Sequence, residues 1–337
     1  MAGLLLTGML TGCGATEEKT QSAMELIGSM QYQEALALLD EAAEEGENLR
    51  LVDRARGIAY MGITEYEQAI EAFKASLAGS NGIVENIDFD LNYYLAAAYT
   101  KNGQYQEAKE VYDAILALKE NQADAYFLRG NARMWLSDYD GAKADFERAL
   151  ALEPKNYDRL IELYQVLEHF GHREEGQAYL EAALASGDKM DNYVVGRIYY
   201  YLGEYQKAYL ALEEAKEKGG AESYLYLGRA YEATGDYNYA ANVYNSWLAK
   251  NEGNAEMYNQ LGLCEMNRGE YQKALEAFQA GKELEGGSMM QSLSFNEVVA
   301  YEHLGDFEQA KALLGTYLAN YPDDGNARRE YEFLSTR

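Results

Sequence analysis

Proline is almost missing, with 2 residues in a chain of 337. A sequence so poor in the residue that breaks helices is free to be helical nearly throughout. Cysteine is equally scarce: Cys13 and Cys264 stand far apart, which excludes a disulfide framework. Cys264 lies among small residues in a predicted helix and reads as a buried structural thiol. The three histidines, His169, His172 and His303, have no Cys or His at metal-ligand spacing, so no metal is expected. Positive charge is in deficit, 29 Lys and Arg against 56 Asp and Glu, for a net charge of −27. That balance excludes nucleic acid as a main partner and flat adsorption on anionic lipid. No P-loop, dinucleotide fingerprint or G-x-S-x-G motif occurs. Paired carboxylates are everywhere, as in any acidic helical chain, and single out none. The chain reads as non-catalytic, without catalytic residues or cofactors.

Self-similarity is what the sequence has in excess. "GEYQKALEAF" at 269–278 returns as "GEYQKAYLAL" at 203–212, "GQYQEAKEVY" at 103–112 and "GDFEQAKALL" at 305–314. Aligned on their alanines (Ala35, Ala69, Ala108, Ala142, Ala208, Ala240, Ala274, Ala310), the copies step by 34, 39, 34, 66, 32, 34 and 36 residues. The step of 66 hides a worn copy with Gly176 in place of the alanine, and the step of 39 carries the loop "AGSNGIVEN" at 78–86. Nine units result, starting near 16, 50, 89, 123, 157, 189, 221, 255 and 291. Few prolines, no alternating β-branched runs and much Ala, Glu, Leu and Lys make the chain all-α.

Within a unit, Tyr224, Leu227, Gly228, Tyr231, Ala240 and Tyr244 stand at fixed offsets. Tyr258, Leu261, Gly262, Ala274 and Phe278 repeat them, as do Tyr126, Gly130, Ala142, Phe146 and Pro154. This pattern resembles the tetratricopeptide repeat, a helix–turn–helix unit of 34 residues. The resemblance covers about 16–324 and implies a right-handed α-solenoid of about nine units, with a polar-faced capping helix over 325–337. Gly57, Gly130, Gly196, Gly228 and Gly262 are expected where the two helices of a unit approach closely. Gly103, Gly171, Gly203, Gly235, Gly269 and Gly305 should end the first helix in a left-handed residue. Tyr32, Tyr66, Tyr105, Tyr139, Tyr205, Tyr237 and Tyr271 should open the second helix and plug the turn. The fifth unit has Arg173 at the plug and Gly176 at the alanine, so a local weak point is expected there.

The family resemblance also implies a concave groove lined by the first helices. Its second, fifth, ninth, twelfth and thirteenth positions face inward. The fifth row gives Tyr93, Phe127, Ile161, Tyr193, Leu225 and Phe295, and the twelfth and thirteenth add Met134, Trp135, Tyr200 and Tyr201. The ninth supplies Asn131, Gln165, Arg197 and Arg229, and the second is acidic: Asp90, Asp124, Asp158, Glu222, Glu256. About 17 of the 31 tyrosines fall at motif packing positions. Tyr93, Tyr193, Tyr200 and Tyr201 fall outside them, which makes them candidate contacts for a partner. The acidic row suits the helix dipole whatever the function. Arg197 and Arg229 either grip an acidic group on a partner or pair with Glu232 and Glu222. The Lys and Asn set of carboxylate-clamp repeats is not reproduced.

The chain opens "MAGLLLTGMLTGCG". Gly3–Leu10 is an apolar stretch of signal-peptide size, too short to span a bilayer. Leu10-Thr11-Gly12-Cys13 resembles the lipobox of bacterial lipoproteins, although no Lys or Arg precedes the apolar stretch. The resemblance implies removal of 1–12, a diacylglyceryl group on Cys13 and a tether over 13–15. These readings combine into an expectation. The chain is a monomeric scaffold at the extracytoplasmic face of a bacterial plasma membrane, held only by the lipid on Cys13, with a protein or peptide in the groove. The groove residues are Tyr93, Phe127, Asn131, Trp135, Tyr193, Arg197, Tyr200 and Arg229. Two alternatives stand beside it: an accessory subunit of a cell-envelope enzyme, and a cytoplasmic adaptor whose lipobox is incidental.

Overall fold

The computed structural model describes residues 17–251, 253–284 and 289–336. Cys13, the lipobox and the tether lie outside the described residues. Those residues form 19 helices and no strand, an all-α solenoid of helix hairpins. Two compact bodies divide the chain between Asn156 and Tyr157.

In the first body the hairpins are α1 (Glu18–Gly28) with α2 (Tyr32–Glu44), α3 (Leu49–Gly62) with α4 (Tyr66–Ala78), α5 (Asn86–Lys101) with α6 (Tyr105–Leu118), and α7 (Ala123–Trp135) with α8 (Tyr139–Leu152). In the second they are α9 (Tyr157–His169) with α10 (Arg173–Ala185), α11 (Asn192–Tyr201) with α12 (Tyr205–Ala215), α13 (Gly220–Ala233) with α14 (Tyr237–Leu248), α15 (Ala255–Asn267) with α16 (Tyr271–Lys282), and α17 (Met290–Leu304) with α18 (Phe307–Asn320). The last helix, α19 (Gly325–Leu334), buries only Ala327 and Leu334 and packs on α18. First helices start within three residues of the expected unit starts, and the step of 39 is absorbed between α4 and α5.

Every hairpin turns the same way. The residue five before the alanine row is left-handed in all nine, with φ between 61° and 84°. Six are the expected glycines. Met30, Thr64 and Ser137 hold the same conformation with a Cβ, at φ of 61°, 63° and 61°. The next N–H then bonds a carbonyl five residues back, as Gln104 to Tyr99 at 2.8 Å and His172 to Leu167 at 2.7 Å, which closes a Schellman turn. The plug tyrosines open the second helices as expected, but several pack forward onto the next hairpin. Tyr105 stacks on Trp135 at 4.9 Å and Tyr271 on His303 at 4.6 Å. Tyr32 fills the space beside Gly62.

In seven of the nine hairpins one large side chain of the second helix is set against a glycine or alanine of the first, while the fifth has Tyr164 there and the ninth Val298. The large residue stands four after the alanine: Leu39, Phe73, Tyr112, Phe146, Leu180, Leu212, Tyr244, Phe278 and Leu314, all 2% exposed or less. A Cβ on Gly57, Gly130, Gly196, Gly228 or Gly262 would fall 2.2–2.6 Å from these side chains. The eight alanines of the row are fully buried.

The fifth hairpin corrects the expectation of a weak point. Its first helix has Tyr164 where five others have glycine, and a Cβ on Gly176 would lie 3.1 Å from the Tyr164 ring and 3.3 Å from its Cα. The bulk has moved from the second helix to the first. Gly176 makes room for Tyr164, which is 1% exposed and donates its hydroxyl to Glu168 at 2.7 Å. Burial, with the neighbouring Glu168 carboxylate, pushes this phenol up to about 12.

Two polar features complete the packing. Asp145, 3% exposed, accepts from Arg129 at 2.5 Å and from Arg133 at 2.9 Å, and Arg129 also reaches Asp113 at 2.7 Å. Glu47, ahead of α3, caps α1 from a distance: it accepts from the Lys19 and Thr20 N–H groups at 3.0 Å each and from the Thr20 hydroxyl at 2.6 Å.

Three outcomes follow from these contacts. Ser137→Gly removes the left-handed Cβ strain and raises the urea midpoint, by an equivalent of about 1 kcal/mol. Gly228→Ala lowers it, although alanine gains about 1 kcal/mol of helix propensity, because the new Cβ meets the buried Tyr244 ring. For Glu47, burial pushes the carboxyl up, but the Thr20 hydroxyl and the two N–H groups more than offset it, and it sits below its ordinary value. Its stabilising effect is therefore complete above the ordinary carboxylate range and is lost as pH falls through the lowered folded value. Hydrogen-exchange protection of α1 should fall between about pH 6 and about pH 3, and Glu47→Gln should flatten that dependence.

Candidate functional site: the first-helix face

The expected groove residues divide between the two bodies, four in each. In the first body, Phe127 is 6% exposed and packs on Phe146 at 5.4 Å. It belongs to the core and not to a ligand-facing row. The same correction applies to Ile161, Leu225 and Met134, at 1%, 4% and 6% exposed. The fifth position of a first helix is therefore buried wherever it is aliphatic or Phe127. Tyr93 is half-buried with its ring 6.3 Å from Tyr112, and Asn131 is half-buried on α7. Trp135 is 47% exposed on one face, while the other covers Tyr105.

The second body brings the tyrosines together. Tyr200 meets Tyr201, Tyr205 and Tyr226 edge-on at 5.4, 5.8 and 5.5 Å. The Tyr201 and Tyr226 hydroxyls are 2.9 Å apart, and Gln165 of α9 donates to the Tyr201 hydroxyl at 2.6 Å. Tyr193 lies edge-on to Tyr226 at 6.4 Å and donates its hydroxyl to Glu222. Two cations cover the rings: the Arg197 guanidinium is 5.1 Å from Tyr193 and 5.3 Å from Tyr226, and Arg229 is 5.9 Å from Tyr226. First helices α9, α11 and α13, with the start of α12, thus present a single cluster of rings, hydroxyls and guanidiniums.

Tyr226 is a member that the sequence did not single out. It occupies the sixth position of its unit, between two rows assigned to the groove, and a tyrosine there has no task in the hairpin core. That lack of a task was the available signal.

The arginines are paired, though with other partners than Glu232 and Glu222. Arg197 binds Asp158 and Arg229 binds Glu256 at 2.6 Å, each across to a neighbouring first helix. Arg54 and Asp90 do the same in the first body at 2.5 Å. The acidic row is thus tied to the scaffold: Asp90, Asp158 and Glu256 to arginines, Glu222 to the Tyr193 hydroxyl. Glu232 accepts instead from the Tyr244 hydroxyl at 2.6 Å.

Burial and neighbouring charges shift several members of the cluster. Burial raises the Tyr193 phenol, and Glu222 raises it further. Tyr201 is raised by burial and by its bond to Tyr226. Burial lowers Arg197, but Asp158 and the surrounding tyrosines outweigh it and hold the guanidinium above its ordinary value. Among the described residues no group of His, Cys, Asp or Glu could hold a metal ion. Cys264 is fully buried, with its Sγ 3.1 Å from the Tyr237 carbonyl, and burial pushes its thiol up to about 12. No described helix is long and apolar enough to cross a membrane.

The repeats are matched by models of a known family. Models of the tetratricopeptide repeat match residues 64–131, 123–156, 193–255, 225–287 and 295–324, together more than half of the chain. RNA polymerase II-associated protein 3 of Xenopus tropicalis is 25% identical over 195 residues, 58% of this chain and 27% of that protein. The mouse peptidyl-prolyl cis-trans isomerase FKBP4 is 30% identical over 125 residues, 34% of this chain and 27% of that one. The chain spans about a quarter of the length of these curated relatives. Among solved structures, a tetratricopeptide repeat protein from Parabacteroides merdae aligns with a TM-score of 0.48 and 14% identity, covering 75% of this chain and 98% of that one. The repeat matches and the nine hairpins agree, and the chain belongs to the tetratricopeptide-repeat proteins.

Proposed function

We propose that the protein is a monomeric, non-catalytic scaffold that holds an extended peptide or a helix of a partner protein on the first-helix face of its second body. A lipid on Cys13 tethers it to the extracytoplasmic face of a bacterial plasma membrane. The observation that carries the binding role is the cluster of Tyr193, Tyr200, Tyr201 and Tyr226 beneath Arg197 and Arg229. Half-buried rings that already hold one another in place lose little side-chain entropy when a partner covers them. Tyrosine and arginine are also the residues that most often dominate interfaces.

The paired carboxylates limit the chemistry of the partner. An acidic group would compete with Asp158 and Glu256 for the two arginines, whereas apolar and hydroxyl-bearing side chains meet free ring faces and edges. The partner segment is accordingly apolar or aromatic at its centre. The tether rests on the lipobox residues Leu10 to Cys13. Held there, the strongly acidic body is pushed away from an anionic bilayer.

The test is capture from detergent-solubilised membranes by the immobilised chain, read by mass spectrometry. Tyr193→Ala combined with Tyr200→Ala should lose the partner that wild type retains, with the melting transition preserved. Unchanged capture by this variant removes the assignment of the face. Metabolic labelling with a palmitate analogue should mark the wild-type chain and leave Cys13→Ala unmarked, and equal labelling of both removes the lipid anchor.

A further inference from the structure

The phenol pair at the centre of the tyrosine cluster holds one proton more than it has acceptors for. The Gln165 amide donates to the Tyr201 oxygen at 2.6 Å, and the Tyr201 and Tyr226 oxygens lie 2.9 Å apart. Each phenol carries one proton. Only one of the two can lie between the oxygens, whichever phenol supplies it. The other has no acceptor among the described residues. The Tyr200 hydroxyl, whose ring stands 5.5 Å from that of Tyr226, also makes no hydrogen bond among the described residues. All three tyrosines are half-buried, so their rings are held in place and still open on one side.

The guanidiniums add to this surplus of donors. Arg229 spends a single N–H on Glu256, and Arg197 a single N–H on Asp158. The carboxylates of the face are engaged, Asp158 and Glu256 by these arginines and Glu222 by the Tyr193 hydroxyl. Such a face suits a segment that brings carbonyl oxygens and few N–H groups. An α-helix does not, because its carbonyls are bonded within it. An extended segment of ordinary residues brings an N–H with every carbonyl, and the carboxylates that would receive it are occupied. Proline brings the carbonyl without the N–H. A run of prolines holds the polyproline II form, which has no internal hydrogen bonds and little chain entropy left to lose on binding. Aromatic-lined surfaces are where such segments dock.

We infer, on the reading of this cluster as the partner-binding surface, that the partner segment is proline-rich and bound in the polyproline II form. Its pyrrolidine rings pack on Tyr193, Tyr200 and Tyr226. One of its carbonyl oxygens accepts the spare proton of the Tyr201–Tyr226 pair. The segment is extended and not helical, and it carries no acidic group at the cluster.

The test is calorimetric titration of the full chain with terminally blocked decaproline, beside a blocked Gly-Ser peptide of equal length and an alanine-rich helical peptide. Decaproline should bind saturably and the other two should not. The proton count gives a sharper signature. Tyr201→Phe or Tyr226→Phe alone still leaves one phenol proton without a protein acceptor, so each should bind within about twofold of wild type. Combined, they keep both rings and remove both protons, and affinity should fall about fivefold, the worth of one hydrogen bond. Tyr193→Ala with Tyr200→Ala should abolish binding, with the melting transition preserved. No saturation with decaproline, equal binding of either control peptide, or unchanged affinity in either double variant overturns the inference. If decaproline fails while capture of a membrane partner still depends on Tyr193 and Tyr200, the proline-rich partner is wrong and the binding role stands. If capture is also independent of those tyrosines, both fall.

Discussion

The structure depends on a steric rule that seven of its nine hairpins apply in the same form. Where the two helices of a hairpin cross, one side must be small enough for the other to be large. Glycine or alanine on the first helix admits Phe73, Tyr112, Phe146, Tyr244 or Phe278 from the second. Interiors pack as densely as organic crystals, so such a crossing tolerates neither two large residues nor two small ones. The fifth hairpin meets the same limit in another way: Tyr164 stands where others have glycine, and Gly176 replaces the alanine that would press on it. Because each hairpin buries only part of its apolar surface internally, the remainder must be covered by the next, and the chain repeats for that reason.

Once the crossings are fixed, successive first helices lie side by side and their polar residues find each other. Arg54 with Asp90, Arg197 with Asp158 and Arg229 with Glu256 link neighbouring hairpins. Much of the acidity on this face is consequently internal to the fold. What the face offers outward is aromatic, and in the second body those rings gather where α9, α11 and α13 meet. An excess of formal charge in the composition thus coexists with a cluster made mainly of phenols and guanidiniums.

The hairpins themselves were legible in the sequence, because glycine, alanine and tyrosine at fixed offsets each have one steric task and only a few residues can perform it. The left-handed turn at Gly103 or Gly269 follows from backbone sterics alone. Its counterparts at Met30, Thr64 and Ser137 could be found only by alignment, since nothing in those residues favours the conformation. Phe127, Ile161 and Leu225 were misplaced because a position count along one helix does not say which of two apolar faces turns to the hairpin partner. Arg197 and Arg229 were matched to the wrong acids because their partners come from adjacent units, at separations the repeat alone does not rank. Glu47 reaching back to α1, and Asp145 between two arginines, are tertiary contacts with no local signature. For Gly176 the signal was present: a tyrosine at 164, aligned with a glycine, announced the exchange.

The left-handed residue stands seven positions after the first-helix crossing residue, a glycine or alanine in seven of the nine hairpins, and five before the alanine row of the second helix, where the fifth hairpin has Gly176. All variation in repeat length, from 32 to 39 residues, therefore falls between the alanine row of one hairpin and the crossing residue of the next, in the outer helix ends and the loop that joins them. Those junctions are the places where the chain can gain or lose residues without disturbing a crossing. They form a margin of free variation alongside an invariant frame, so new loops, and whatever they come to recognise, can be acquired there while the folding code stays untouched.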